Sequence, residues 1–229
     1  MGLGSYLIYI VIIMAIPLLA QMRVKGAYAK YSKIESQYGY TGYEVARKIL
    51  DNSGLYQVKV EETPGSLSDH YDPRTRTVRL STNNYYGKSL AGAAVAAHEV
   101  GHAVQHDRKY AFLSFRHLLF PVANFGSSLS WIFIMIGLFT QATGLFAIGI
   151  ALLAVGVLFQ IVTLPVEFNA STRAMAMLTN YNIITPEEVK PSKKVLQAAA
   201  LTYVAATLVA VAELVRLVLM FTGFGNSDD

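Results

Sequence analysis

Ala91–Asp107 reads AGAAVAAHEVGHAVQHD, a run of alanine, valine and glycine that also carries three histidines and a glutamate. The histidines at 98, 102 and 106 are four residues apart, so in a helix they share one face, because 3.6 residues make a turn. Small apolar residues fill the rest of the stretch, which suits a helix packed on several sides. Such a helix gains nothing from burying imidazoles and a carboxylate unless something offsets their desolvation.

The sequence on either side is that of a membrane protein. Of its 229 residues 53% are hydrophobic and 15% charged, against roughly 25% charged in a soluble domain, and the mean hydropathy is +0.38. Residues 1–22 hold no charge, and neither do the fifty residues from His117 to Val166. About 20 apolar residues cross a bilayer, so the fifty predict two spans joined by a tight turn near Thr140–Gly144. Val195–Phe221 predicts a fourth span, broken only by Glu213 and Arg216; at i and i+3 these two can pair and face protein rather than lipid. The first run lacks a basic n-region and a small-x-small cleavage site and contains Pro17, so it is expected to be a retained anchor rather than a signal peptide.

Basic residues set the expected orientation. Of 19 Lys and Arg, 14 fall in Arg23–Arg116 and four (Arg173, Lys190, Lys193, Lys194) between the third and fourth spans, which predicts that both segments are cytoplasmic and both termini outside. The net charge of +4 is thereby accounted for without nucleic acid, since the basic residues are scattered and have no stacking platform beside them. The absence of cysteine removes disulfides, thiolate ligands and cysteine nucleophiles.

The expected organisation is a transmembrane helix at 1–22, a cytoplasmic catalytic part at 23–116 with the His-rich helix at about 89–107, and a membrane hairpin at 117–164. A cytoplasmic helix and loop at 165–194, a last span at 195–222 and a polar tail at 223–229 follow. Within the catalytic part, Arg23–Gln37 continues from the span as a polar exit. Thr41–Asp51 is a helix opened by a Thr41/Glu44 capping box and closed at Asn52-Ser-Gly54. Leu55–Val60 alternates as a half-buried strand and Thr77–Leu80 is a second, with turn signals between them. Leu164-Pro165 opens a polar-flanked helix over Val166–Asn180. Tyr28, Tyr31, Tyr38, Tyr40 and Tyr43 read as interfacial packing.

His98-Glu99-Val100-Gly101-His102 is an H-E-x-x-H. Two imidazoles one turn apart can reach one zinc ion, and the glutamate between them points to where an activated water would sit, which suits peptide hydrolysis with Glu99 as general base. A catalytic zinc needs a third protein ligand. His106 lies eight residues past His98, about 12 Å along the axis, too far for one ion, and reads as a polar helix end with a supporting or substrate role left open. Gln105 and Arg108 occupy the glycine and histidine positions of the longer H-E-x-x-H-x-x-G-x-x-H pattern. His70 lies in a polar loop, solvated or supporting, and His117 abuts the second span. Glu167 is the candidate third ligand, because the hairpin returns the chain to the side from which His98 and His102 departed. On the same stretch Ser171, Asn169 and Arg173 are candidates to support a ligand histidine or steady an oxyanion.

The phrases KGAYAKYSKI, LSDHYDP, VAAHEVGHAVQ, LPVEFNAS and VLQAAALTYVAA resemble the YugP-like neutral zinc metallopeptidases of bacterial membranes. H-E-x-x-H followed by a membrane hairpin and E-x-x-A is more distantly similar to the HtpX and type I CaaX prenyl protease group. That group has aspartate where this chain has Ser171. The resemblance implies an α-helical integral membrane protein of about four transmembrane helices in the plasma (inner) membrane. It would carry a small cytoplasmic α+β, zincin-like unit of the gluzincin type: an endopeptidase with one Zn2+ per chain on His98, His102 and Glu167. Its partners would be a peptide or membrane-protein substrate and the lipid bilayer; neither a partner membrane protein nor a homo-oligomer leaves a mark in the sequence. In that fold a substrate commonly adds as a strand to a sheet edge, and Arg74–Ser81, with Thr77, Val78, Arg79 and Leu80, is the expected edge.

Two other classes compete. A zinc-holding membrane scaffold without peptidase activity would use four protein ligands, for which no convincing spacing exists without cysteine. A transporter would rest on Glu213 and Arg216, a single charged pair with no half-helix repeat. The orientation is open to test because the chain has no cysteine of its own. A cysteine placed at Gln141 should react with an impermeant maleimide in intact cells, whereas one at Ser68 should react only after permeabilisation; the reverse pattern would invert the topology.

Overall fold

A computed structural model describes residues 3–225. The elements in order are α1 (Leu3–Tyr31), α2 (Gly42–Asn52), β1 (Lys59–Thr63), β2 (His70–Asp72), β3 (Thr77–Ser81), α3 (Thr82–Tyr86), α4 (Leu90–Asp107), α5 (Ala111–Thr140), α6 (Thr143–Asn180) and α7 (Pro186–Gly225). Among the described residues four helices are long and apolar enough to cross a membrane: Gly4–Tyr31, Ala111–Thr140, Thr143–Asn180 and Pro186–Gly223. The chain divides into two compact units. One comprises the start of α1, α5, α6 as far as Pro165 and α7 from Tyr203; the other comprises Leu18–Tyr110 with Val166–Thr202.

The four candidate membrane helices lie over the apolar runs and extend beyond them. α5 starts at Ala111 rather than 117, and α6 and α7 run unbroken through Pro165 and Pro191. Val166–Asn180 is therefore part of α6 rather than a separate helix, and the helix that carries the last apolar run begins at Pro186. A proline inside a helix forfeits one backbone hydrogen bond, which packing can outweigh in a long apolar helix. From residue 226 on, the expected polar tail lies outside the described residues.

The first unit is held by close helix contacts. Ile134, Phe146 and Leu217 form its buried centre. Gly137 and Gly149 let α5 and α6 approach, since a Cβ on Gly137 would lie 2.5 Å from the Phe146 nitrogen. Glu213 accepts a hydrogen bond from Tyr9 Oη at 2.6 Å and pairs with Arg216, whose guanidinium stands 5.6 Å from the Tyr9 ring centre. The pair is thus matched within protein, as its i and i+3 spacing predicts.

The second unit is α+β. The capping box at Thr41 forms as its residues predict, with the Thr41 amide donating to Glu44 Oε2 at 2.8 Å and the Glu44 amide to Thr41 Oγ1 at 3.2 Å. The core joins Val45, Ile49 and Leu50 of α2, Val78 and Leu80 of β3, the alanines of α4, and Ala174 and Leu178 of α6. The sheet has the order β1-β3-β2, with β1 parallel and β2 antiparallel to β3.

Three expectations about the sheet change. The first strand begins at Lys59 rather than Leu55, because the Arg47 guanidinium takes the Leu55 and Val58 carbonyls at 3.1 and 2.7 Å and withholds them from a ladder. β2 arises from a stretch read as a loop: Asp72 accepts from the Arg74 amide, Thr75 Oγ1 and Arg79 Nη1, closing a tight hairpin onto β3. These hydrogen bonds hold the Asp72 carboxyl down at about 2. Thr77, Val78, Arg79 and Leu80 are not an edge, since β3 is paired on both sides. The edges are β1 and β2, and of these β2 packs on α4.

One glycine controls how closely α4 and α6 pack. A Cβ on Gly101 would stand 2.8 Å from the Ala170 carbonyl oxygen and 3.3 Å from its Cα, so the two backbones touch. Gly101→Ala should cost about 1–3 kcal/mol of overpacking, read as a lower melting temperature in detergent, with metal binding weakened in parallel; an unchanged melting temperature would refute the contact.

Candidate metal centre

α4 is capped by Ser89, whose hydroxyl accepts from the Gly92 amide at 3.0 Å, and its small residues let it sink into the second unit's core. This fixes which face His98, Gly101, His102 and Gln105 present: the i, i+3, i+4, i+7 stripe that meets α6. On α6, Glu167, Ala170, Ser171 and Ala174 form the opposing stripe. Two backbones in contact at Gly101 and Ala170 leave only side-chain length between the functional groups.

Glu167 reaches between the two histidines. Its Oε2 lies 3.3 Å from His98 Nε2 and 3.6 Å from His102 Nε2, and one donor atom from each of the three residues falls within 4.8 Å of the others. The rings of His98 and His102 stand edge to face, 4.8 Å apart. Four-coordinate zinc with bonds of about 2.0–2.1 Å has its donors about 3.4 Å from one another. The two measured separations match that spacing, and the donor set of two imidazoles and one carboxylate is one that zinc accepts. The residues fit the metal.

Glu167 is almost fully enclosed, at 2% exposed, and Glu99 is buried at 9%. Burial pushes the Glu99 carboxyl above its ordinary value, and the Glu167 carboxylate adds to the shift, while the flanking histidines work against it. For His102, burial alone would lower the pKa, but the neighbouring Glu167 carboxylate outweighs it and raises the imidazole. The site therefore concentrates charge where solvation is poor, which two carboxylates and two imidazoles tolerate only by compensating one another or a cation.

A second layer holds the ligand rings. Ser171 Oγ lies 3.2 Å from His98 Nδ1, so of the two candidates it is Ser171 rather than Asn169 that meets a ligand histidine directly. His102 Nδ1 faces Gln105 Oε1 at 3.0 Å, a contact that the sequence reading missed. Gln105 lies three residues past His102, on the same face, and that spacing was the available signal. Gln105 Nε2 donates to the Val166 carbonyl at 2.8 Å and to Asn169 Oδ1 at 3.0 Å, and Asn169 Oδ1 also accepts from Arg173 Nε at 2.7 Å. Arg173 is thus joined to the site through Asn169.

The remaining candidates lie outside the three-ligand cluster. His106 Nδ1 is 2.8 Å from Tyr71 Oη, tying the end of α4 to β2, and burial lifts the Tyr71 hydroxyl to about 12. His70 is exposed at the start of β2, with Nδ1 2.8 Å from the Ser68 carbonyl.

The profile of a family described as "Putative neutral zinc metallopeptidase" matches residues 6–222. A protein of Bacillus subtilis (strain 168) named "Putative membrane protease YugP" is 50% identical over 202 residues, 88% of this chain and 90% of that protein. No solved structure matches.

Proposed function

Because the chain belongs to this neutral zinc metallopeptidase family, we propose that it is a membrane-embedded, zinc-dependent endopeptidase of the gluzincin type that cleaves peptide bonds at the cytoplasmic membrane face. The observation that carries this reading is the convergence of Glu167 on His98 and His102, at 3.3 and 3.6 Å, with Glu99 between the two histidines on α4. Among the described residues the cluster offers three ligands, not four. Three protein ligands with an open position characterise catalytic zinc, and four a closed structural site.

His98 Nε2, His102 Nε2 and the Glu167 carboxylate would hold one zinc ion. Bound there, zinc supplies a Lewis acid that makes water a nucleophile near neutral pH and polarises the scissile carbonyl. Glu99 performs the proton transfer: it takes a proton from the attacking water and delivers it to the leaving amine nitrogen as the C–N bond breaks. Its burial, at 9% exposed, shelters the proton from bulk water between the two steps. Ser171 steadies the His98 ring.

The substrate's main chain would add to β2 rather than β3. β2 is the terminal strand that packs on α4, and an extended peptide laid along its outer edge would run beside the active-site helix, held by backbone hydrogen bonds. Entry from the cytoplasmic side follows from the basic residues of Arg23–Arg116 and of the segment before the last span.

Zinc content and hydrolysis of a labelled protein substrate, measured together on detergent-purified protein, test the assignment. Wild type should hold about one zinc and cleave. Glu167→Ala should lose the metal, and Glu99→Gln should keep it while hydrolysis falls by about 100-fold or more, the usual contribution of general base catalysis. Zinc retained equally in Glu167→Ala would remove Glu167 from the ligand set, and unimpaired cleavage by Glu99→Gln would remove the mechanism.

A further inference from the structure

An imidazole binds a metal through a nitrogen lone pair, so a ligand histidine must keep its hydrogen on the other ring nitrogen. His98 and His102 both turn Nε2 toward Glu167, so each needs its hydrogen on Nδ1. The two rings meet that need differently. His98 Nδ1 faces the Ser171 hydroxyl, which can either donate or accept and so suits either tautomer.

His102 Nδ1 faces an amide, and an amide has a direction. Gln105 is fully buried, at 0% exposed. One end of its amide meets the Val166 backbone carbonyl at 2.8 Å, which can only accept, so that end must be the NH2 group. The NH2 also meets Asn169, whose facing atom is fixed in turn: Arg173 Nε stands 2.7 Å from it and can only donate, so the atom must be Oδ1. The remaining end of Gln105, 3.0 Å from His102 Nδ1, is then an acceptor, and Nδ1 must carry hydrogen.

We propose that Gln105 is a positioning residue for the metal site: anchored by the Val166 carbonyl and, through Asn169, by the donate-only Arg173, it fixes His102 as the Nδ1–H tautomer and holds the Nε2 lone pair toward the metal. This rests on the zinc reading above. It assigns Arg173 to the polarity of this relay, where it acts on the site through two amides. Polarity, more than packing volume, is what the relay requires of Asn169, whose side chain has only to accept twice.

Chelator competition on the full-length protein in detergent, with zinc as the probe, measures the consequence. Gln105→Met keeps the side-chain volume but replaces the amide oxygen with at most a weak thioether acceptor, and should weaken zinc binding by about 10- to 100-fold, as the loss of a ligand's hydrogen-bond partner does. Should that buried substitution prevent folding, the half-buried Asn169 supplies an independent pair. Asn169→Leu should weaken binding, whereas Asn169→Asp should stay close to wild type, because a carboxylate accepts from both neighbours. Asn169→Asp as weak as Asn169→Leu, or Gln105→Met as tight as wild type, overturns the relay and leaves the three-ligand site standing. Wild type holding no zinc removes the site and the relay together.

Discussion

The backbone contact between α4 and α6 at Gly101 and Ala170 is the constraint on which the rest of the site depends. With no Cβ at 101, the Ala170 carbonyl can lie where a side chain would otherwise stand, and the helices close to a distance that the carboxylate of a single glutamate can span. One turn of α4 then supplies both histidines, one turn of α6 supplies Glu167 and Ser171, and every functional distance follows from that approach. Helix packing normally holds axes about 8–10 Å apart according to the side chains between them; here the residues at the contact are the small Gly101 and Ala170.

The price of such closeness is desolvation. Glu167 and Glu99 are both buried, and a carboxylate removed from water costs several kcal/mol unless it is compensated. The compensation is local: imidazoles on two sides of Glu167, histidines on either side of Glu99 in the chain, and around them amides whose donors and acceptors are matched. The first unit solves the same problem on a smaller scale, since Glu213 satisfies Arg216 and takes the Tyr9 hydroxyl. In the first unit the charged groups are met by protein, as groups in an apolar setting must be.

The unbroken helices explain how a chain this short builds such a site. α6 is one helix from Thr143 to Asn180: its first part belongs to the apolar unit and its second, beyond Pro165, carries Glu167, Asn169, Ser171 and Arg173. Within that second part 3.6 residues per turn set Glu167, Ala170 and Ser171 on one face, so the ligand stripe needs no loop to place it. The sheet contributes differently. β3 is its centre and is committed on both sides, which leaves β2, a strand of three residues closed by Asp72, as the edge beside α4.

Periodicity and composition determined what depends on neighbours in the chain. The four apolar runs, the capping box at Thr41, the helix that presents His98 and His102 on one face, and the i to i+3 pairing of Glu213 with Arg216 are all local, because a span, a cap and a helical face need only a few consecutive turns of sequence. Glu167 was legible as a candidate because the count of spans returned the chain to the starting side. Distances across elements belong to the tertiary structure alone. The sequence does not show that Arg47 takes the carbonyls of residues that would otherwise extend β1, or that three residues around Tyr71 become an edge strand while Thr77–Leu80 become the centre. Nor does it show that Gln105 meets His102 and Asn169 at once. Each of these is decided by which carbonyls and amides remain unclaimed when separate segments meet, and that accounting exists only once the chain is folded.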